Sequence, residues 1–270
     1  MLHLKDISLR PMFNALPYGP VDLTTAVLLP NSEKIYRGVP LILSGRWDLD
    51  VVQRMTEMDI LSAHAPMHPD VLLEYYTECE THRTIFDINA TSAEEIALFF
   101  TVRFHLADKT KMKYVRLNIE KMSDTEALEF VKTFRGLLPH EVGLIVGPTF
   151  VRHMIKALEA VGADIVAFGH HEGQIAFDIL KYNCGGEISE VDVLNRPEYN
   201  GLLADVACTC PGDVAKAFAL GADFVGIGPD LKRYTLEEIF DGLKRSCAMV
   251  GAHRLSELSE MAVIDGIDRP

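Results

Sequence analysis

The sequence predicts an α/β fold, a (β/α)8 TIM barrel forming one domain over residues 1–270 with a short N-terminal β-hairpin. Three observations predict it. The 270 residues are 48% hydrophobic and 24% charged, ample for one core and close to the roughly 250 residues that such barrels use. Eight short apolar runs recur, separated by segments of helical character, the alternation that builds a parallel sheet from βα units. No low-complexity stretch and no linker rich in Pro, Gly or Ser divides the series.

The elements follow in order. Residues 4–10 and 23–29 read as two strands outside the barrel, a hairpin over its bottom. The barrel runs are Val39–Ser44, Asp59–Ala63, Thr84–Ile88, Tyr114–Ile119, Val142–Val146, Asp164–Phe168, Leu202–Val206 and Asp223–Ile227. Amphipathic segments lie at Leu49–Met58, Pro69–Glu80, Ser92–His105, Asp124–Leu138, Phe150–Val161, Pro211–Leu220 and Thr235–Val250. Two helix starts carry capping chemistry: Thr91-Ser92-Ala93-Glu94-Glu95 and Ser123-Asp124-Thr125-Glu126 each put a side-chain oxygen at the cap and a carboxylate in the first turn. Ile179–Asn200, with Cys184-Gly185-Gly186 inside it, is less regular and reads as an elaborated loop and helix.

Charge and cysteine usage narrow the function classes. A formal charge of -13 argues against nucleic-acid or anionic-membrane partners, which require clustered Lys and Arg. Five cysteines (Cys79, Cys184, Cys208, Cys210, Cys247), no signal-peptide pattern and no apolar run long enough to span a bilayer predict a cytoplasmic protein with reduced thiols.

In a barrel of this kind the reactive groups sit on the loops after the C-terminal strand ends. Strand by strand, those positions hold Gly45, Arg46 and Trp47; His64 and His68; Asp87 and Asn89; Asn118 and Glu120; Gly147 and Thr149; His170, His171, Glu172 and Gln174; Asp205, Cys208 and Thr209; and Gly228 and Asp230.

One stretch is specific in its wording. Cys208-Thr209-Cys210-Pro211-Gly212-Asp213-Val214-Ala215-Lys216-Ala217-Phe218, followed by Gly221-Ala222-Asp223-Phe224-Val225, closely resembles the guanosine monophosphate (GMP) reductases of the inosine monophosphate (IMP) dehydrogenase superfamily. Further anchors come in the family's order: Lys5–Pro11 is similar to its entry segment, Gly38–Ile42 and Asp59–His64 to its first two barrel strands, Gly162–Gly169 to its GADIVKVG strand, and Asp241–Ala252 to its last helix.

The resemblance implies a purine nucleoside monophosphate as ligand, NADPH as cofactor, a homo-oligomer, and a thioimidate formed on a cysteine during the reaction. Counted forward from Gly169 without a gap, that cysteine's position holds Ala176, and the threonine two positions later is Asp178. The connection from Gly228-Pro229-Asp230-Leu231 into the last helix is short where the family inserts a flap and a catalytic acid. Asp205 matches the aspartate that hydrogen-bonds the ribose hydroxyls. In the phosphate cradle, Gly173 and Gly228 are kept, Gln174 stands for a serine, and Pro229 removes an N–H donor. Arg46 replaces an apolar residue against the base and offers a new anion contact.

His170-His171-Glu172 has no counterpart in the family. It admits three readings: acid/base or ligand contact by one imidazole, transition-metal ligation with Asp205 or His64, or polar filling. Successive residues on a strand end face opposite ways, which counts against both imidazoles meeting one metal, and no metal is assigned. The catalytic candidates are therefore His170, His171, Glu172 and Asp178; the substrate-binding candidates are Asp205, Arg46, Gly173, Gln174 and Gly228. Cys208 reads as a buried structural cysteine rather than a substitute nucleophile. Three functions follow as alternatives: a divergent GMP-reductase-like protein that binds or acts on a purine nucleotide, a non-catalytic scaffold, or a barrel repurposed around His170 and His171.

Overall fold

The computed structural model describes residues 4, 7–11, 20–43, 60–66, 84–88, 114–149, 152–168, 201–204, 208–228, 231 and 233–265. Eight strands run parallel in sequence order: β3 (Lys34–Leu43), β4 (Ile60–Pro66), β5 (Thr84–Ile88), β6 (Tyr114–Asn118), β7 (Gly143–Thr149), β8 (Ile165–Phe168), β9 (Leu202–Ala204) and β10 (Phe224–Ile227). The last pairs back onto the first, with Val225 opposite Leu41 and Ile227 opposite Leu43, so the sheet closes into a ring.

The strands are apolar on both faces because the ring is packed inside and out. Ile42, Tyr114, Ile145, Ile165, Ala167, Leu203 and Phe224 form an inner cluster made of strand residues. Their neighbours Leu41, Val115, Leu144, Val146, Val166, Leu202, Ala204 and Val225 pack outward against the helices. This is the period-two alternation of a pleated strand, with each parity assigned to one core.

The described helices are α1 (Asp124–Leu137), α2 (Arg152–Ala160), α3 (Pro211–Ala219), α4 (Leu236–Val250) and the short α5 (Leu258–Met261). The capping box read at Ser123 is present: its hydroxyl accepts the Glu126 N–H at 3.4 Å, and the Glu126 carboxylate accepts the Ser123 N–H at 2.9 Å. Thr235 and Glu238 repeat the device at α4. That helix ends at Gly251 with φ 83°, a left-handed C-cap that glycine adopts without strain. The helices expected at 49–58, 69–80 and 92–105, and the elaborated segment 179–200, lie outside the described residues.

The N-terminal hairpin differs from its expectation. Residues 25–29 (β2, Thr25–Leu29) pair antiparallel with the extended start of β3, from Thr25 opposite Gly38 to Leu29 opposite Lys34. Residues 8–10 (β1, Ser8–Arg10) pair instead with β11 (Val263–Asp265) near the other end of the chain. The hairpin exists, but its second strand is an extension of the first barrel strand.

Two Gly-Ala-Asp segments lock the barrel's N-terminal face. The Asp164 carboxylate, 1% exposed, accepts the N–H of Leu144 at 2.9 Å and those of Asn31 and Ser32 at 2.9 and 2.7 Å. It thereby joins the start of β7 to the β2–β3 turn. Asp223 accepts from Gly201 and Leu202 at 3.1 and 3.0 Å and joins the start of β9 to β10. Gly201, at φ 90°, lies between the two clasps, and a Cβ there would stand 2.3 Å from the Asp164 carbonyl oxygen.

Candidate functional site at the C-terminal mouth

Closure of the ring gathers the strand ends at one mouth, with Asn118, Thr149 and Gly228 at the ends of β6, β7 and β10. By the parity of Tyr114, Ile145 and Phe224 in the inner cluster, Asn118 and Gly228 take inward register positions. Asn118 is half-buried, and its side-chain oxygen accepts the Glu120 N–H at 3.0 Å. Thr149 is buried. Gly228 has no left-handed φ, and a Cβ added there would meet nothing within 4 Å. Among the described residues, glycine at this position therefore answers to no packing constraint.

Of the substrate-binding candidates, Gly228 lies among the described residues, directly after β10. His170, His171, Glu172, Gly173, Gln174, Asp178, Asp205 and Arg46, together with Ala176, lie outside the described residues. His64 and Asp87 fall within β4 and β5, each of which continues to a later residue than the candidate. Among the described residues, no three His, Cys, Asp or Glu side chains gather as a metal site.

The Cys208–Phe218 stretch forms the turn after β9 and helix α3. Cys208 is fully buried and packs with the outer core rather than the inner one. Cys210 caps α3 without a side-chain hydrogen bond, and Pro211 starts the helix where its missing N–H costs nothing. Asp213 does the capping work from inside the helix: its carboxylate accepts the Thr209 N–H at 3.0 Å and the Thr209 hydroxyl at 2.9 Å. Lys216 lies 3.2 Å from the same carboxylate and also donates to the Leu4 carbonyl at 2.9 Å. Burial opposes the charge on Asp213, but the Thr209 hydrogen bonds and Lys216 outweigh it and hold the carboxyl below its ordinary range.

Two residues escaped the sequence reading. Arg116 lies half-buried at an inward register position of β6, and its signal was a lone cation in the apolar run Tyr114–Ile119. Arg233 lies five positions beyond Gly228, and its guanidinium donates to the Thr209 carbonyl while sitting 5.1 Å from the centre of the Tyr234 ring. A separate cleft of about 630 Å³ occupies the opposite side of the molecule, among Asp22, Arg37, Phe218, Asp223 and Arg254.

These features define a closed parallel (β/α)8 barrel with its candidate site at the C-terminal face. No family model matches the chain. GMP reductase 2 of Bos taurus is 28% identical over 234 residues, covering 84% of this chain and 67% of the relative. GMP reductase 1 of Rattus norvegicus is 28% identical over 243 residues, and GMP reductase of Vibrio cholerae is 26% identical over 240, with 84% of this chain covered in each case. Among solved structures, an inosine 5'-monophosphate dehydrogenase from Legionella pneumophila superposes with TM-score 0.72 over 97% of both chains at 14% identity, a likeness of fold. In sequence the chain is thus similar to GMP reductases, and in fold to an IMP dehydrogenase. No described helix is long and apolar enough to cross a membrane.

Proposed function

We propose that this protein binds a purine nucleoside monophosphate at the C-terminal mouth and that the cysteine-dependent reduction of GMP to IMP is lost. The observation that carries the reading is the turn after β9. The Cys208–Phe218 stretch that resembles the GMP reductases follows β9, the strand that leads in sequence into Asp205, and β9 pairs with β10, which Gly228 follows. In this reading Asp205 accepts hydrogen bonds from the two ribose hydroxyls, Gly173, Gln174 and Gly228 border the phosphate, and Arg46 lies against the base. His170 or His171, with Glu172 and Asp178, holds whatever proton transfer the site performs.

NADPH is what the resemblance implies, and it would supply a hydride. That hydride reaches the purine only after a nucleophilic sulfur has attacked the ring. Of the described cysteines, Cys208 and Cys247 do not fit this need, since both are fully buried and pack with the outer core. With Ala176 at the nucleophile's position, no hydride step follows from these residues. Retention of the last helix supports a homo-oligomer, and the cysteine usage supports a cytoplasmic setting; neither partner protein nor nucleic acid enters the reading.

The test is thermal unfolding with and without GMP or IMP, combined with NADPH oxidation in the presence of GMP. The expected result is a raised melting temperature with either nucleotide and no NADPH consumption above background. No stabilisation by either nucleotide sinks the binding reading, and robust NADPH oxidation with GMP sinks the claim that reduction is lost.

A further inference from the structure

We propose that Arg233 is the phosphate-recognising cation of this site, a specificity residue that takes over from the backbone donor removed by Pro229. The inference rests on the nucleotide-binding reading above. Loops after the seventh and eighth strands of such barrels are a recurrent position for phosphate. Here those loops are the Cys208–Cys210 turn after β9 and the connection from Gly228 to Thr235 after β10.

The connection is short and well anchored. The Leu231 N–H closes on the Gly228 carbonyl at 3.1 Å, the Tyr234 N–H closes on the Leu231 carbonyl at 2.9 Å, and the Leu231 side chain is fully buried. Arg233 projects from this anchored turn and is exposed. Its guanidinium bridges the two loops by donating to the Thr209 carbonyl, and it lies over Tyr234. Two contacts thus orient a planar fork of five donors while consuming few of them, the preorganisation that favours bidentate phosphate binding.

Local charge agrees. Asp213, the carboxylate that clasps the turn after β9, is already engaged by Thr209 and by Lys216 at 3.2 Å, so it does not face an incoming anion uncompensated. Gly228 supplies the space, since a Cβ there would meet nothing within 4 Å among the described residues. A proline next to it has no N–H to offer, and the arginine replaces a lost dipole with a full charge.

The test compares GMP with guanosine by calorimetry on the wild-type protein and on Arg233→Ala and Arg233→Lys. The expected result is a GMP affinity weakened on the order of tenfold or more in Arg233→Ala, partly recovered in Arg233→Lys, with guanosine affinity changed by less than about twofold. GMP binding unchanged in Arg233→Ala overturns this inference and leaves nucleotide binding standing. Equal loss for GMP and guanosine also overturns it, since it assigns Arg233 to holding the Thr209 turn. Absence of GMP binding by the wild type overturns both readings. If Arg233→Ala does not fold, Arg233→Lys decides: wild-type salt dependence and affinity for GMP overturn the proposal, because an ammonium cannot reproduce the planar fork.

Discussion

The Asp164 carboxylate receives the Leu144 N–H at 2.9 Å with its side chain withdrawn from solvent. That bond gives the Gly-Ala-Asp wording a physical meaning. Asp164 and Asp223 each precede a strand, and each binds the first N–H groups of the strand before it. Both act at the N-terminal ends of the strands, the face of a barrel where residue identity serves stability rather than chemistry. The Gly-Ala-Asp wording is thus compatible with any reaction at the opposite face.

Asp164→Ala removes the acceptor of three backbone N–H groups and leaves Arg135, whose nearest guanidinium nitrogen is 3.7 Å from the carboxylate, without that charge. The expected loss is about 3 kcal/mol or more, since each buried donor left unpaired costs about 1–3 kcal/mol. Asp223→Ala, at a less buried carboxylate that accepts the Gly201 and Leu202 N–H groups, is expected to cost less. Urea unfolding of both variants checks the order, and a larger loss for Asp223 contradicts it.

Two glycines in helices separate packing from propensity. In α4, a Cβ on Gly242 would stand 2.5 Å from the Pro211 Cβ at the start of α3, and a proline ring cannot swing aside. Gly242→Ala is expected to destabilise by about 1–3 kcal/mol through overpacking. Gly136 in α1 has nothing within 4 Å of such an atom, so Gly136→Ala is expected to stabilise by about 0.5–1 kcal/mol. Melting temperatures moving in opposite directions are the expected readout.

Thiol labelling discriminates the described cysteines. Cys208 and Cys247 are 0% exposed, while Cys210 is partly accessible at the helix cap. A disulfide reagent applied to the native protein, with sites mapped by mass spectrometry, is expected to modify Cys210 and spare the other two until denaturant is added. Fast native modification of Cys208 would contradict its place in the outer core and reopen it as a nucleophile.

The barrel was legible because period-two runs and helix caps are local signals. Thr84–Ile88 matches β5 to the residue, and Ser123 caps the helix read from its neighbours. The partner of residues 8–10 was not legible: β11 lies about 250 positions along the chain, and nothing local encodes a pairing over that separation. The position of Gly228 was legible because it directly follows a strand. Arg233 was missed because it lies beyond the strand end, and the fold of a short turn brings it onto Thr209. The Asp213 clasp was hidden for the same reason, as an acid inside a helix that serves a residue before it.

Stability is expected to fall at both pH extremes through two identifiable groups. The Asp213 carboxyl titrates lower in the folded protein than in the unfolded chain. Its contribution is therefore present above the unfolded value, near 4, and is lost as pH falls through the folded one. Cys247 behaves oppositely: burial foremost, with Glu257 adding to it, pushes its thiol up to about 12. Above about pH 9 the unfolded chain releases this proton while the folded protein keeps it, so the unfolded state binds fewer protons and stability declines. The slope from this one group is at most about 1.4 kcal/mol per pH unit, confined to the window between about 9 and the folded value of about 12. Urea unfolding of wild type and Cys247→Ala between pH 7 and 11 isolates the term, because tyrosines and lysines titrate alike in both. The variant is expected to be less stable at pH 7, having lost a buried side chain, and to show a shallower alkaline decline. Parallel declines in the two proteins would mean that the Cys247 thiol ionises as readily in the fold as out of it.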